Sequence, residues 1–367
     1  MSEKIEDQMR AERTEEVTDK KCPNCGATVT FDPQSGTLHC AYCGYSCELP
    51  KDTENDPMRE LDFESAVNKG SFEWGAQKKT VECKNCGAVT IYDALETASV
   101  CPFCGSTHVM PAADEESIAP GGVCPFSLTK ESAGHAFQKW LSKKLFAPSK
   151  AKKNASPDAF KGVYLPFWTF DAQTDSHFTA RAGYDRKVRK KDGSTTTETT
   201  WNWVSGEYQE FIDDETVVAS DRYEHTNVKS CEPFDFSKLV PYDPKLLAGF
   251  VAERYSIGLK KGWEIAQEAI QVRLKNNVKS HVKRHWRADR ADSVKLSTHY
   301  SNITYKYLLV PVWLSSFSYK DKVYQFVVNG QTGKVAGKAP VSAFRVILAI
   351  LLAAAVIAGL YFLGQYN

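Results

Sequence analysis

Apolar and polar positions alternate, or crowd into short aromatic-rich runs, over Gly162 to Ala180, Trp201 to Phe211 and Tyr300 to Val335, which predicts strands in all three. The last run breaks at Lys320-Asp321-Lys322 and again at Asn329-Gly330, so it reads as strand, turn, strand, turn. Helical spacing governs other stretches. Thr129 to Phe146 places Phe137, Leu141 and Leu145 on one face behind Thr129 as N-cap. Lys245 to Tyr255 and Trp263 to about Trp286 are longer helical patterns, the second with Ile270, Leu274, Val278 and Val282 as an apolar stripe. Residues 125–340 are therefore expected to form an α+β domain. Glu60 to Trp74 carries Leu61, Phe63, Val67 and Trp74 on the spacing of a short amphipathic helix. From Val346 to Leu363 no residue is charged, about 27 Å of helix, which predicts one transmembrane helix over 345–364.

Cysteine spacing supplies the chemistry. CPNCGATVTFDPQSGTLHCAYCG, beginning at Cys22, returns as CKNCGAVTIYDALETASVCPFCG from Cys83, each copy a CxxC pair, fourteen residues and a second CxxC pair. Cys22, Cys25, Cys40 and Cys43 form one expected ligand set, and Cys83, Cys86, Cys101 and Cys104 the other. Gly26, Gly44, Gly87 and Gly105 follow the second cysteine of each knuckle and let the backbone bend two thiolates toward one ion. Two structural zinc ions are expected, because four thiolates leave no coordination position for a catalytic water. The domain plan is then a disordered 1–20, ribbons at 21–48 and 80–110, a helical connector at 49–79 and a linker at 111–124. His39 is a weak rival ligand, and Cys47, Cys124 and Cys231 default to structural roles.

Composition narrows the classes. At 42% hydrophobic and 25% charged the chain is not disordered, collagen-like or heptad-built, and 46 Lys and Arg against 45 Asp and Glu exclude a global polycation. Basic surface is local. Arg186, Lys187 and Arg189 lie in a run that reads as an exposed hairpin tip, and eleven cations outweigh five acids from Val251 to Lys295. In that second region Arg273, Lys279, Lys283, Arg284 and Arg287 flank the apolar stripe. Both groups are candidates for anionic-lipid or nucleic-acid contact, against the plainer reading of a solvated surface. No GxxxxGK[ST], HExxH, GxSxG or GxGxxG occurs, so no catalytic residue is assigned and no helicase motor is present. There is no signal peptide, and Lys334, Lys338 and Arg345 before the apolar stretch place the bulk of the chain in the cytoplasm. A second repeat is fainter: Leu165-Pro166-Phe167-Trp168 and Val310-Pro311-Val312-Trp313 suggest two related half-sheets.

The succession CPNCG, CAYCG, CKNCG, CPFCG, VCPFSLTKESA, FQKWL, YLPFWTFDA, EPFDF, LLVPVWL and VNGQTGKVAG resembles a bacterial family of membrane-anchored, TFIIB-type zinc-ribbon proteins. Its members are often labelled as the replication-restart helicase, a label that does not carry over without motor motifs. The resemblance implies a single-pass protein of the bacterial cell membrane whose partners are phage-shock-type coat or SPFH scaffold proteins in envelope stress. The expectation is thus multi-domain: tandem zinc ribbons, an α+β domain and a transmembrane helix, acting as a non-enzymatic adaptor. The alternative is a nucleic-acid-binding regulator that uses the ribbons and the basic helix.

Overall fold

The computed structural model describes residues 21–48, 60–68, 78–83, 89–93, 109–111, 120–148, 160–191, 194–221, 228–319 and 322–365. Strands β1 (Thr30–Asp32), β2 (Thr37–His39) and β3 (Ser46–Glu48) form a small antiparallel sheet. There follow β4 (Leu61–Asp62), α1 (Phe63–Asn68), β5 (Lys78–Cys83), β6 (Val89–Asp93), β7 (Val109–Pro111), β8 (Gly122–Val123) and α2 (Lys130–Ser142). The centre is made by β9 (Lys161–Arg189), β10 (Thr195–Val218), β11 (Val240–Pro241), β12 (Val251–Glu253), α3 (Leu259–His285), β13 (Arg290–Tyr319), β14 (Lys322–Asn329) and β15 (Val335–Gly337), before a last helix α4 (Ala343–Gln365). Apart from β1 to β3, these strands belong to one twelve-stranded sheet.

Two long neighbours organise that sheet. β9 and β13 run antiparallel from Gly183↔Arg290 to Lys161↔Leu314. Their middles read as unbroken apolar runs because both faces are covered. Tyr164, Trp168 and Phe170 point into one buried cluster with α2 and α3, while Val163, Leu165 and Phe167 point into another with Val228, Cys231 and Phe234.

The faint repeat of the sequence is a two-fold relation. Leu165 pairs with Val310, and an axis through that pair relates Pro166 to Pro311 and Trp168 to Trp313. β12 runs parallel to β9 at Val163 and Tyr164, and β8 runs parallel to β13 at the equivalent Leu308 and Leu309. Each proline sits where the outer neighbour changes, from β12 to β10 beside Pro166 and from β8 to β14 beside Pro311. A missing N–H costs no ladder bond at such a junction. Each indole then crosses to the other half: Trp168 Nε1 donates to Ile257 O at 2.8 Å, and Trp313 Nε1 donates to Leu128 O at 3.1 Å. Those carbonyls directly precede the N-caps of α3 and α2, Gly258 and Thr129. Two β-α-β-β repeats are thus intertwined, each first strand pairing with the other repeat.

Several expectations change. The fold class becomes one large β-sheet domain with few helices, together with the cysteine-rich ribbon. Lys245 to Tyr255 is not a helix: a single 3-10 turn at Pro244–Leu247 leads into β12, because strand pairing beside β9 overrides the local spacing. Leu145 falls beyond α2 and is 77% exposed, whereas Phe137 and Leu141 are buried. Among the described residues no helix is long and apolar enough to cross a membrane. The transmembrane helix expected over 345–364, and the cell-membrane placement that rested on it, are corrected on that finding.

Candidate functional site

The first ribbon gathers its cysteines from two matching knuckles. Gly26 N donates to Cys22 O and Gly44 N to Cys40 O, at 2.8 and 3.0 Å. Both glycines hold positive φ, 71° and 73°, which is why the position after each CxxC is glycine. Between the knuckles β1 and β2 form the expected hairpin, its turn closed by Gln34 N and Ser35 Oγ donating to Asp32. Those donors hold the Asp32 carboxyl below its ordinary range, the Gln34 amide foremost. Cys22, Cys25, Cys40 and Cys43 converge, with one Sγ from each within 4.8 Å of the others, and the Cys22–Cys43 and Cys25–Cys40 sulfurs 3.3 and 3.6 Å apart. The Cys43 amide, then the Tyr42 amide, aim at the Cys40 sulfur and bring that thiol down to about 7 against burial. Sulfurs at these separations can surround one ion at a bond length of about 2.3 Å. This four-cysteine group can hold a metal.

Of the second expected set only Cys83 is described, buried at the end of β5; Cys86, Cys101 and Cys104 lie outside the described residues. The hairpin β5–β6 that carries Cys83 extends the large sheet, since Ala252↔Ile91 and Glu253↔Thr90 pair antiparallel. His39 stays out of the first cluster, its Nδ1 3.1 Å from Ser46 Oγ. Cys47 is exposed, whereas burial pushes the Cys124 and Cys231 thiols up to about 12.

The two basic stretches meet. α3 packs its stripe of Ile270, Leu274, Val278 and Val282, all fully buried, along β9, β10 and β13. Its last turn reaches the hairpin end: Tyr184 Oη donates to Trp286 O, and Asp289 N donates to Gly183 O. Exposed Lys283, Arg284 and Arg287 thereby share one end of the molecule with exposed Arg186, Lys187 and Arg189. Arg273 and Lys279 stand apart from that end. Arg273 is tied to Glu210 at 2.8 Å, and Lys279 is half-buried.

Over 340 residues, 89% of the chain, the sequence is 31% identical to the uncharacterized protein YdjG of Bacillus subtilis strain 168, of which it covers 91%. The chain belongs to the YdjG family. No family model matches it, and no solved structure does.

In this YdjG-family chain a further cluster escaped the sequence reading. Lys306, 6% exposed, sets its Nζ 2.9 Å from Asp214, 3.6 Å from Glu60 and 4.0 Å from Asp171. Bulges in β10 after Ile212 and in β13 after Ser301 bring these groups together, and Asp214 N donates to Asp171 Oδ1 at 2.7 Å. Asp171, Asp213 and Asp214 carry oxygens close enough for a cation, and the lysine ammonium already lies among them. Glu60 also accepts from Thr304 at 2.7 Å, which holds the segment between the ribbons against β13 beside the β4 pairing. The signal was a lone lysine in the apolar run from Tyr305 to Trp313, where a charge requires a partner.

Proposed function

We propose that this YdjG-family protein is a non-enzymatic adaptor whose ribbons, each closed on a structural zinc ion, present a protein-docking surface on the β-sheet domain. The observation that carries the reading is how the first ribbon is held. Cys22, Val29, Phe31, Leu38 and Cys40 are buried in the main cluster, and Phe31 N donates to Ala248 O at 3.1 Å. The opposite side faces outward: Cys25 and Cys43 are exposed, and Tyr42, within the second knuckle, is 84% exposed. An aromatic with so much solvent access on a rigid knuckle is the type of residue that anchors interfaces. A thiolate-only donor set is closed once four-coordinate, so the ion would fix shape and leave chemistry to none of the ligands. Zinc suits it best, with a second ion on Cys83, Cys86, Cys101 and Cys104. The partner is a protein of the coat or scaffold type that the family resemblance implies.

The test is in-cell crosslinking with mass spectrometry on the intact chain and on Tyr42→Ala, with zinc measured on both. A partner crosslinked to 21–48 and lost in Tyr42→Ala, at unchanged zinc content, is expected. Crosslinks that avoid the ribbon, or survive the substitution undiminished, would defeat the docking role.

A further inference from the structure

The far end of the β9–β10 hairpin has two different faces. Phe178, Ala180 and Ala182 pack beneath Val278 and Val282 of α3, so alternation puts Arg181, Lys187 and Arg189 on the other side of the sheet. Trp203 lies opposite Arg181 and Trp201 opposite Gly183, on that same side. A Cβ at Gly183 would meet Trp201 at 2.9 Å, so the glycine lets the indole lie over the strand. Arg181 is fixed by Asp292 through two hydrogen bonds of 2.9 and 3.0 Å and sits 4.9 Å over the Trp201 ring. Trp203 is 64% exposed, and Lys187 and Arg189 are exposed beyond it. The cationic last turn of α3 raises the positive potential from behind.

We propose that this face binds a single nucleic-acid strand, with phosphates on Lys187 and Arg189 and bases against Trp203 and Trp201. Three features select that partner. Indole planes beside cations on one face of a sheet are what an unpaired strand requires, because every base has a π-face and every link a negative charge. Arg189 and Arg181 are eight residues apart, about 26 Å along the strand, enough for a site at the short end of about 4–16 nucleotides. The described hairpin end, Lys190, Lys191, Ser194 and Thr195, carries no large apolar side chain to enter a bilayer. The surface is distinct from the ribbon, so it stands or falls apart from the adaptor reading.

Fluorescence anisotropy on the full zinc-loaded chain tests it, with labelled oligothymidylate and oligouridylate of about 20 nucleotides. Binding is expected at about 50 mM salt, falling with a log–log slope of about −1.4 for the two phosphates. Trp203→Ala should weaken it about tenfold at an unchanged melting temperature. The pair Lys187→Glu and Arg189→Glu should weaken it more and flatten the salt slope. No retention of either strand at low salt would overturn the proposal. So would binding indifferent to all three substitutions, binding lost only when ribbon cysteines are replaced, or retention by anionic-lipid vesicles with none by the oligonucleotides.

Discussion

Trp168 and Trp313 do the same work on opposite sides of the two-fold, each satisfying a backbone carbonyl one residue ahead of a helix N-cap. Replacing either by Phe leaves an acceptor without its donor, a cost of about 1–3 kcal/mol where the group stays dry. Trp168 is fully buried and Trp313 is 6% exposed, so urea unfolding should show the larger loss for Trp168→Phe. Asp171 gives a residue-scale test in pH. Burial first, and the hydrogen bond shared with Glu60 next, hold its carboxyl up at about 7, against an ordinary value near 3.9. Between those values the folded protein binds more protons than the unfolded chain, so this contribution to stability is full below about pH 4 and is lost as pH rises through about 7. Melting temperatures at about pH 5 and about pH 8 should therefore fall with pH more steeply in the parent than in Asp171→Asn. An equal slope in both would mean that other groups set the dependence.

Helix α3 shows how an element is placed by a missing side chain. Gly262 lies in its first turn, where a Cβ would meet Trp168 Cδ1 at 2.7 Å, and that indole has no room to retreat. Gly262→Ala gains about 1 kcal/mol of helix propensity but forces overpacking worth about 1–3 kcal/mol, so net destabilisation is expected. A denaturation midpoint higher than the parent's would show that α3 can slide. The same element shows what sequence can disclose. Its stripe of Ile270, Leu274, Val278 and Val282 was legible because helical period and burial agree over more than three turns. Thr129 was legible as an N-cap because capping is local, and its Oγ1 accepts from Ser132 N. Lys245 to Tyr255 was misread because its fate depends on β9, distant in sequence, and Lys306 was missed because Glu60 and Asp214 come from elsewhere. The two knuckles of the first ribbon were legible for the same local reason as the cap.

At the scale of the molecule, the ribbon and the duplicated sheet differ in what holds them together. β9 and β13 are paired along nearly their whole length and buried on both faces about the two-fold. The first ribbon has three strands of three residues each, and its few buried side chains lean on the sheet through Ala248 and through Thr30 against Gly249. A structural zinc ion on the four thiolates would supply such a unit with about 10 kcal/mol or more of folding free energy. Removing the metal with a strong chelator should therefore uncouple the parts. Hydrogen exchange is expected to show β1 to β3 losing protection, with a lesser loss around Ala248, while β9 and β13 keep theirs. Cys25→Ser, which removes an exposed ligand, should reproduce that pattern without chelator. A chain that loses protection everywhere would show that the intertwined repeats cannot close unless the ribbon is already folded against them. The unequal burial of the two parts argues for the local result, because no sulfur of the first cluster lies among the residues that close the two-fold.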